Sequence, residues 1–141
     1  MAAINFFQED ISFSLKNKIK LKNWVKNTIN FEGKKLGELN FIFCSDSYLL
    51  DINQQYLNHD TFTDIITFDN SDTEDVITGD IFISYERVSE NAEKFSSSLP
   101  DELHRIIIHG TLHLLGYKDK TKADKTLMTR KEDEYLQKRE F

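Results

Sequence analysis

His109-Gly110-Thr111-Leu112-His113-Leu114-Leu115-Gly116-Tyr117-Lys118-Asp119 reads His-x-x-x-His-x-x-Gly-x-x-Asp. Helix positions four apart share a face, one turn apart, so His109 and His113 can aim two imidazoles at one point. Gly116 admits the left-handed turn that ends such a helix, and that turn can bring Asp119 back toward the rings. Two nitrogens and a carboxylate oxygen suit a zinc-like ion and leave a fourth position for water. The surrounding residues Leu103, Ile106, Ile107, Ile108, Leu112, Leu114 and Leu115 are apolar around much of the circumference. That predicts a central, buried helix.

A lone histidine on an apolar helix is most simply a core residue held by hydrogen bonds. Two of them four apart change the balance, because each unsatisfied buried group costs about 1–3 kcal/mol and one shared ion satisfies both. The spacing therefore predicts a metal site made of His109, His113 and Asp119. His104 falls five positions before His109 and is expected to point elsewhere, into solvent. His59 sits in a polar loop and says little by itself. The helical zinc-peptidase motif carries a glutamate directly after its first histidine, as general base. Here that position is Gly110, which cannot take a proton. Ion-assisted hydrolysis stays open, since a bound ion can bring the pKa of its water to about 7; proteolysis is weakened, and no general base can be named.

Outward from this helix the pattern alternates between strand and helix. Ile4 to Phe13 reads as a first strand. Leu15, Ile19, Trp24, Val25 and Ile29 recur at helical spacing over 15–30. Leu39 to Cys44 is a short apolar strand, and Ser45-Asp46 are cap candidates for a helix through Leu49, Leu50, Ile52 and Tyr56. Thr61 to Phe68 is rich in strand formers. Polar residues 69–75 make a loop or hairpin tip. Val76 to Tyr85 is another strand, in which Gly79-Asp80 suggests a bulge or a close backbone approach. A helix from Ser84 or Tyr85 runs through Val88, Ala92 and Phe95. Pro100, Asp101 and Glu102 suit the first turn of the central helix. A last helix over 121–138 faces Leu127, Met128 and Leu136 inward. The sum is an α+β fold: one domain over 1–141, with a mixed, mainly antiparallel sheet of about four strands packed with about five helices and a zincin-like central helix.

The 141 residues are enough for a real core, and 39% hydrophobic with 30% charged residues is ordinary for a globular chain. No apolar run is long enough to cross a membrane, and the N-terminus does not read as a signal peptide. The single cysteine, Cys44, reads as a small core residue in a reducing, cytoplasmic setting. A net charge of −6 argues against broad, non-specific nucleic-acid binding. The charge is uneven, however. Lys16, Lys18, Lys20, Lys22 and Lys26 form an acid-free row, read as a solvated face with RNA contact as the alternative. Residues 118–131 hold Lys118, Lys120, Lys122, Lys125, Arg130 and Lys131 against Asp119 and Asp124. The acids gather at Asp69, Asp72, Glu74, Asp75 and Asp80.

From His109 through Tyr117 the chain resembles the YbeY family of bacterial single-metal endoribonucleases, whose hallmark is His-Gly-x-Leu-His-Leu-x-Gly-Tyr-Asp-His. It then departs: Lys118-Asp119 stand at the Asp-His positions, so Asp119 occupies the place of a third histidine ligand. Upstream, Asn53-x-x-Tyr56, Asp60 and Thr63-Asp64-Ile65-Ile66-Thr67-Phe68 resemble the family's Asn-x-x-Tyr-Arg-x-Lys-Asp-x-Pro-Thr-Asp-Val-Leu-Ser-Phe. Gly79-Asp80-Ile81-Phe82-Ile83-Ser84 resembles its Gly-Asp-Ile-x-Ile-Ser. Ala92, Glu102-Leu103 and Met128 through Glu132 also match, and the likeness covers about 40–136. Leu57 replaces the family's arginine, a natural phosphate contact, and His59 its lysine. Another cation, such as one from the 16–26 row, would have to take over, or the protein is slower or acts with a partner. Asp64, Asp80 and Tyr117 read most simply as structural.

The resemblance implies a cytoplasmic endoribonuclease, specific for single strands, acting in ribosomal RNA maturation and ribosome quality control. It implies one Zn²⁺, and ribosomal RNA or the small ribosomal subunit as partner. A metal-activated water or metal-stabilised phosphate would carry the chemistry. Two other readings stand beside it: a zincin-like metallohydrolase or peptidase, and a non-catalytic ribosome-associated RNA-binding module with a structural metal. Oligomeric state is not legible.

Overall fold

A computed structural model of the protein describes residues 2–58 and 63–141. In chain order the elements are β1 (Ala3–Glu9), α1 (Lys18–Phe31), β2 (Lys35–Cys44), α2 (Asp46–Leu57), β3 (Ile65–Asp69), β4 (Val76–Ser84), α3 (Tyr85–Lys94), α4 (Leu99–Leu114) and α5 (Lys122–Gln137). Local chemistry places most helix starts. Ser45, Ser84, Ser98 and Thr121 each accept a backbone N–H of the first turn, from Tyr48, Arg87, Asp101 and Asp124, covering donors that the helix itself leaves open. The first strand ends before Phe13, because Asp10 adopts a φ of 60° and turns the chain away.

The strands form one sheet in the order β1-β2-β4-β3. β1 pairs with β2 and β2 with β4 in parallel, and only β3–β4 is antiparallel. The expectation of a mainly antiparallel sheet is thus corrected. Each return to a parallel neighbour needs a long crossover, which α1 provides between β1 and β2, and α2 with β3 between β2 and β4. The short polar loop after β3 allows only a hairpin. The register shift lies between Leu36 and Leu39 of β2, so the irregularity expected at Gly79 falls on the partner strand. Gly79 is instead a close approach: a Cβ there would lie 2.4 Å from the Phe68 carbonyl oxygen.

Strand alternation sends Ile4, Leu39, Phe41, Phe43, Ile81 and Ile83 to one face, where they join Leu21, Trp24, Val25 and Ile29 of α1 and Leu103, Ile107, Ile108 and Leu112 of α4 in the main core. The other face is covered in part by α2, through Leu49 against Cys44 and Ile66. α4 is therefore the central buried helix that its apolar circumference predicts, with Ile106 and Leu115 packed at its margins. α5 lies over it with Met128, Glu132 and Tyr135 inward. His104 is a second correction: it is 7% exposed, enclosed by Trp24 and Phe141 with Arg139 Nη1 2.7 Å from its Nδ1. No helix among the described residues is long and apolar enough to cross a membrane.

Candidate metal centre

Gly110 sets the height of α4 above the sheet. A Cβ at this position would sit 2.9 Å from Ile81 Cγ2 and 3.0 Å from Ile65 Cδ1, so the helix reaches β3 and β4 only because the side chain is missing. The direction that faces the sheet is the one a glutamate would have to take. A base at this position is thus excluded by packing as well as by chemistry. His109 and His113, on the neighbouring face, remain partly accessible.

The helix ends in a Schellman turn. Tyr117 N–H donates to the Leu112 carbonyl and Gly116 N–H to the His113 carbonyl, both at 3.0 Å, while Gly116 takes a φ of 106°. The loop is then clamped from outside. Tyr117 OH donates to Glu32 Oε1 at 2.6 Å, and Tyr135 OH donates to the other oxygen of the same carboxylate. Glu32 closes α1, so three helices meet at the loop that carries Asp119.

Asp119 Oδ2 lies 3.5 Å from His109 Nε2 and 3.4 Å from His113 Nε2, and the three donor atoms all fall within 4.8 Å of one another. Charge-assisted hydrogen bonds run at about 2.7–2.9 Å, so these separations are long for direct bonds. They match donors sharing a tetrahedral ion, which at about 2.0–2.1 Å from the metal stand about 3.3 Å apart. The residues present fit a metal ion bound by nitrogen and oxygen donors.

Behind His109 stands Glu132, whose Oε2 is 2.6 Å from Nδ1. A carboxylate there fixes the tautomer and turns the Nε2 lone pair toward the shared point. Its second oxygen accepts from Arg105 Nη1 at 2.8 Å, and Arg105 Nη2 reaches Asp133 at 2.6 Å. Burial pulls the proton affinity of His109 down, but the Glu132 hydrogen bond and the charges of Glu132, Asp119 and Asp64 outweigh it, and the net shift is upward. Sequence reasoning matched Glu132 only as part of a family stretch and gave it no role. The available signal was a carboxylate on the inward face of α5, in step with Met128 and Tyr135.

Asp64 precedes β3, anchored by its carbonyl, which accepts from Ser84 N–H at 2.9 Å. Burial raises its pKa, opposed by His109 and reinforced by Asp119. Asp80 is structural: its carboxylate accepts from Asn40 and Asn70, in a ladder begun by Asn5. Leu57 ends α2 and is 42% exposed. His59, Asp60 and the start of the expected strand at Thr61 lie outside the described residues.

The YbeY family model, described as "Endoribonuclease YbeY", matches residues 3–140. A relative with that description from Flavobacterium psychrophilum is 55% identical over 130 residues, 92% of each chain. Another, from Cytophaga hutchinsonii, is 49% identical over 138 residues, covering 98% of this chain and 96% of its own. Among solved structures, the solution structure of TM1509 from Thermotoga maritima superposes with a TM-score of 0.67 at 28% identity, covering 96% of this chain and 87% of the other.

Proposed function

This chain belongs to the YbeY family of endoribonucleases, and we propose that it is a metal-dependent endoribonuclease that cuts single-stranded RNA. We assign it to ribosomal RNA maturation and ribosome quality control in the cytoplasm, on ribosomal RNA or the small subunit. The observation that carries the reading is the convergence of His109 Nε2, His113 Nε2 and Asp119 Oδ2 at ion-sharing separations. These residues would hold one ion, with Zn²⁺ the best match to the donor set. Bound there, an ion would supply positive charge near a scissile phosphate and would make water acidic enough to ionise near neutral pH.

The chain's own residues do the rest. Glu132 holds the His109 ring in orientation. The Glu32–Tyr117 hydrogen bond holds the loop that delivers Asp119. Asp64, whose carboxyl is raised by burial and feels the charges of His109 and Asp119, is our candidate for exchanging a proton with the nucleophile or leaving group.

The test compares His113→Ala with wild type. The variant loses both ion retention and cleavage of a single-stranded oligoribonucleotide; full cleavage by metal-free wild type would sink the proposal. Peptide and RNA substrates at equal metal loading separate nuclease from peptidase. Retained RNA binding with no turnover in the loaded wild type would favour the non-catalytic module, to which Leu57 at the arginine position lends support.

A further inference from the structure

We propose that the outer face of α5 is the track for the RNA strand leaving the metal centre, with Lys122, Lys125 and Arg130 contacting its phosphates. This rests on the nuclease reading above and extends it to a surface.

The helix separates its residues cleanly. Met128, Glu132 and Tyr135 are buried, whereas Lys122, Lys125, Thr126, Thr129 and Arg130 are all exposed. The acids of this region are already engaged. Asp124 closes the capping box on Thr121, Glu132 holds His109 and Arg105, Asp133 pairs with Arg105, and Glu134 with Lys131. Among the described residues, Lys118, Lys120, Lys122, Lys125 and Arg130 have no carboxylate within ion-pair distance. A chain of net charge −6 thus leaves a row of cations outside any ion pair beside its candidate centre.

The row is shaped for phosphates. Lys122, Lys125, Thr126, Thr129 and Arg130 line one shallow depression together with Asp133, and Lys122, Thr126 and Arg130 line the adjoining one. Hydroxyls between ammonium and guanidinium groups suit a backbone that presents anionic oxygens at intervals. The row is continuous with the centre: Lys122 follows Asp119 by three residues, under about 11 Å of chain. It then runs about 12 Å along the helix to Arg130.

The lysine row of α1 is placed differently. Phe13 to Asn17, leading into that helix, line a cavity with Leu99, Pro100, Leu103 and His104. This is the N-terminal end of α4, about 14–21 Å along the helix from His113. Lys16, Lys18 and Lys20, at and just before the start of α1, are therefore the natural control.

The experiment follows binding of a fluorescein-labelled 20-nucleotide oligouridylate by anisotropy across a NaCl series, in chelator, so that cleavage does not intervene. Each phosphate contact on a single strand contributes about 0.7 to the slope of log K against log salt. Lys122→Ala/Lys125→Ala/Arg130→Ala should reduce the slope by about 2. Lys16→Ala/Lys18→Ala/Lys20→Ala should leave it unchanged. All substituted positions are exposed, and thermal unfolding checks that the folds are equal. With metal restored, the α5 variant should raise KM for the 20-mer while kcat holds. Wild-type protein that binds and cleaves RNA while the α5 variant keeps its slope overturns the track alone. Equal losses from the α1 and α5 sets overturn it too, in favour of diffuse attraction. Wild-type protein that neither binds nor cleaves RNA overturns the track together with the nuclease reading.

Discussion

Replacing Glu132 probes the metal centre without touching a proposed ligand. The carboxylate lies 2.6 Å from His109 Nδ1 and is buried, with a side chain 8% exposed. Two substitutions grade the loss. Glu132→Gln keeps the size and an acceptor oxygen but removes the charge, exchanging a hydrogen bond to a charged group, worth about 1.5–3 kcal/mol, for a neutral one worth about 0.5–1.5. The difference of about 1–1.5 kcal/mol is about tenfold in ion affinity. Glu132→Ala removes the partner altogether and should approach the hundredfold end of the range for such supporting groups. Both variants also take a carboxylate from Arg105, so Asp133→Asn serves as control: it strips the other partner of Arg105 and leaves His109 alone. Zn²⁺ dissociation constants from chelator competition, with unfolding of the metal-free proteins measured in parallel, read the two effects apart. Zn²⁺ affinity of Glu132→Ala within twofold of wild type would refute the orienting role. So would equal weakening by Asp133→Asn, since the effect would then belong to Arg105.

Asp64→Asn should lower kcat at least tenfold while Zn²⁺ affinity stays near wild type; loss of the ion instead would make Asp64 a ligand. His104 is held neutral, its pKa pulled down to about 4 first by burial and then by the Arg139 charge. Its folded value lies below its unfolded value near 6.5, so its contribution is complete above that pH and is lost as pH falls toward 4, by at most about 3 kcal/mol. In urea titrations between pH 7 and 4, His104→Gln should lose less stability than wild type; parallel curves would contradict the assignment. Gly110→Ala should cost up to about 3 kcal/mol through contact with Ile81 and Ile65, less the helix propensity gained, and Gly110→Glu should fail to fold stably. A Gly110→Glu protein with wild-type melting temperature would show that the gap is larger than described. Burial pushes the Cys44 thiol up to about 12, so iodoacetamide should label it only on the timescale of unfolding.

What could be read from residue order is what depends on short range. α4 and its terminal turn follow from apolar periodicity, the Ser98 cap and Gly116, and the approach of Asp119 follows from that turn. Strand direction does not. Nothing in Lys35 to Cys44 says that it runs parallel to Ala3 to Glu9, because direction is set by what the crossover helix buries, and α1 buries Leu21, Val25 and Ile29 against the sheet. The role of Glu132 depends on α5 folding back over α4, a contact between residues 23 positions apart. His104 shows the same limit from the other side. Five positions from His109 it does leave that face, but the place it turns to is closed by Trp24 and Phe141, from distant parts of the chain.

Two departures from the motif that the sequence resembles pull in one direction. Asp119 in place of an imidazole adds a negative charge to the donor set, and Leu57 in place of arginine removes a positive one. The first reduces the field available to an anionic phosphate at the metal centre, and the second removes a phosphate contact that the resemblance implies. The loop and α5 carry the opposite change. Lys118 and Lys120 flank Asp119, and Lys122, Lys125 and Arg130 continue outward with no carboxylate partner among the described residues. A cation on an exposed helix costs little in stability and can move to meet a strand, whereas an arginine fixed beside the ion must be held by its neighbours. On the proposed reading, positive charge lies along the path that brings the phosphate to the centre. The consequence is kinetic: capture of RNA depends on salt more steeply than the bond-breaking step does.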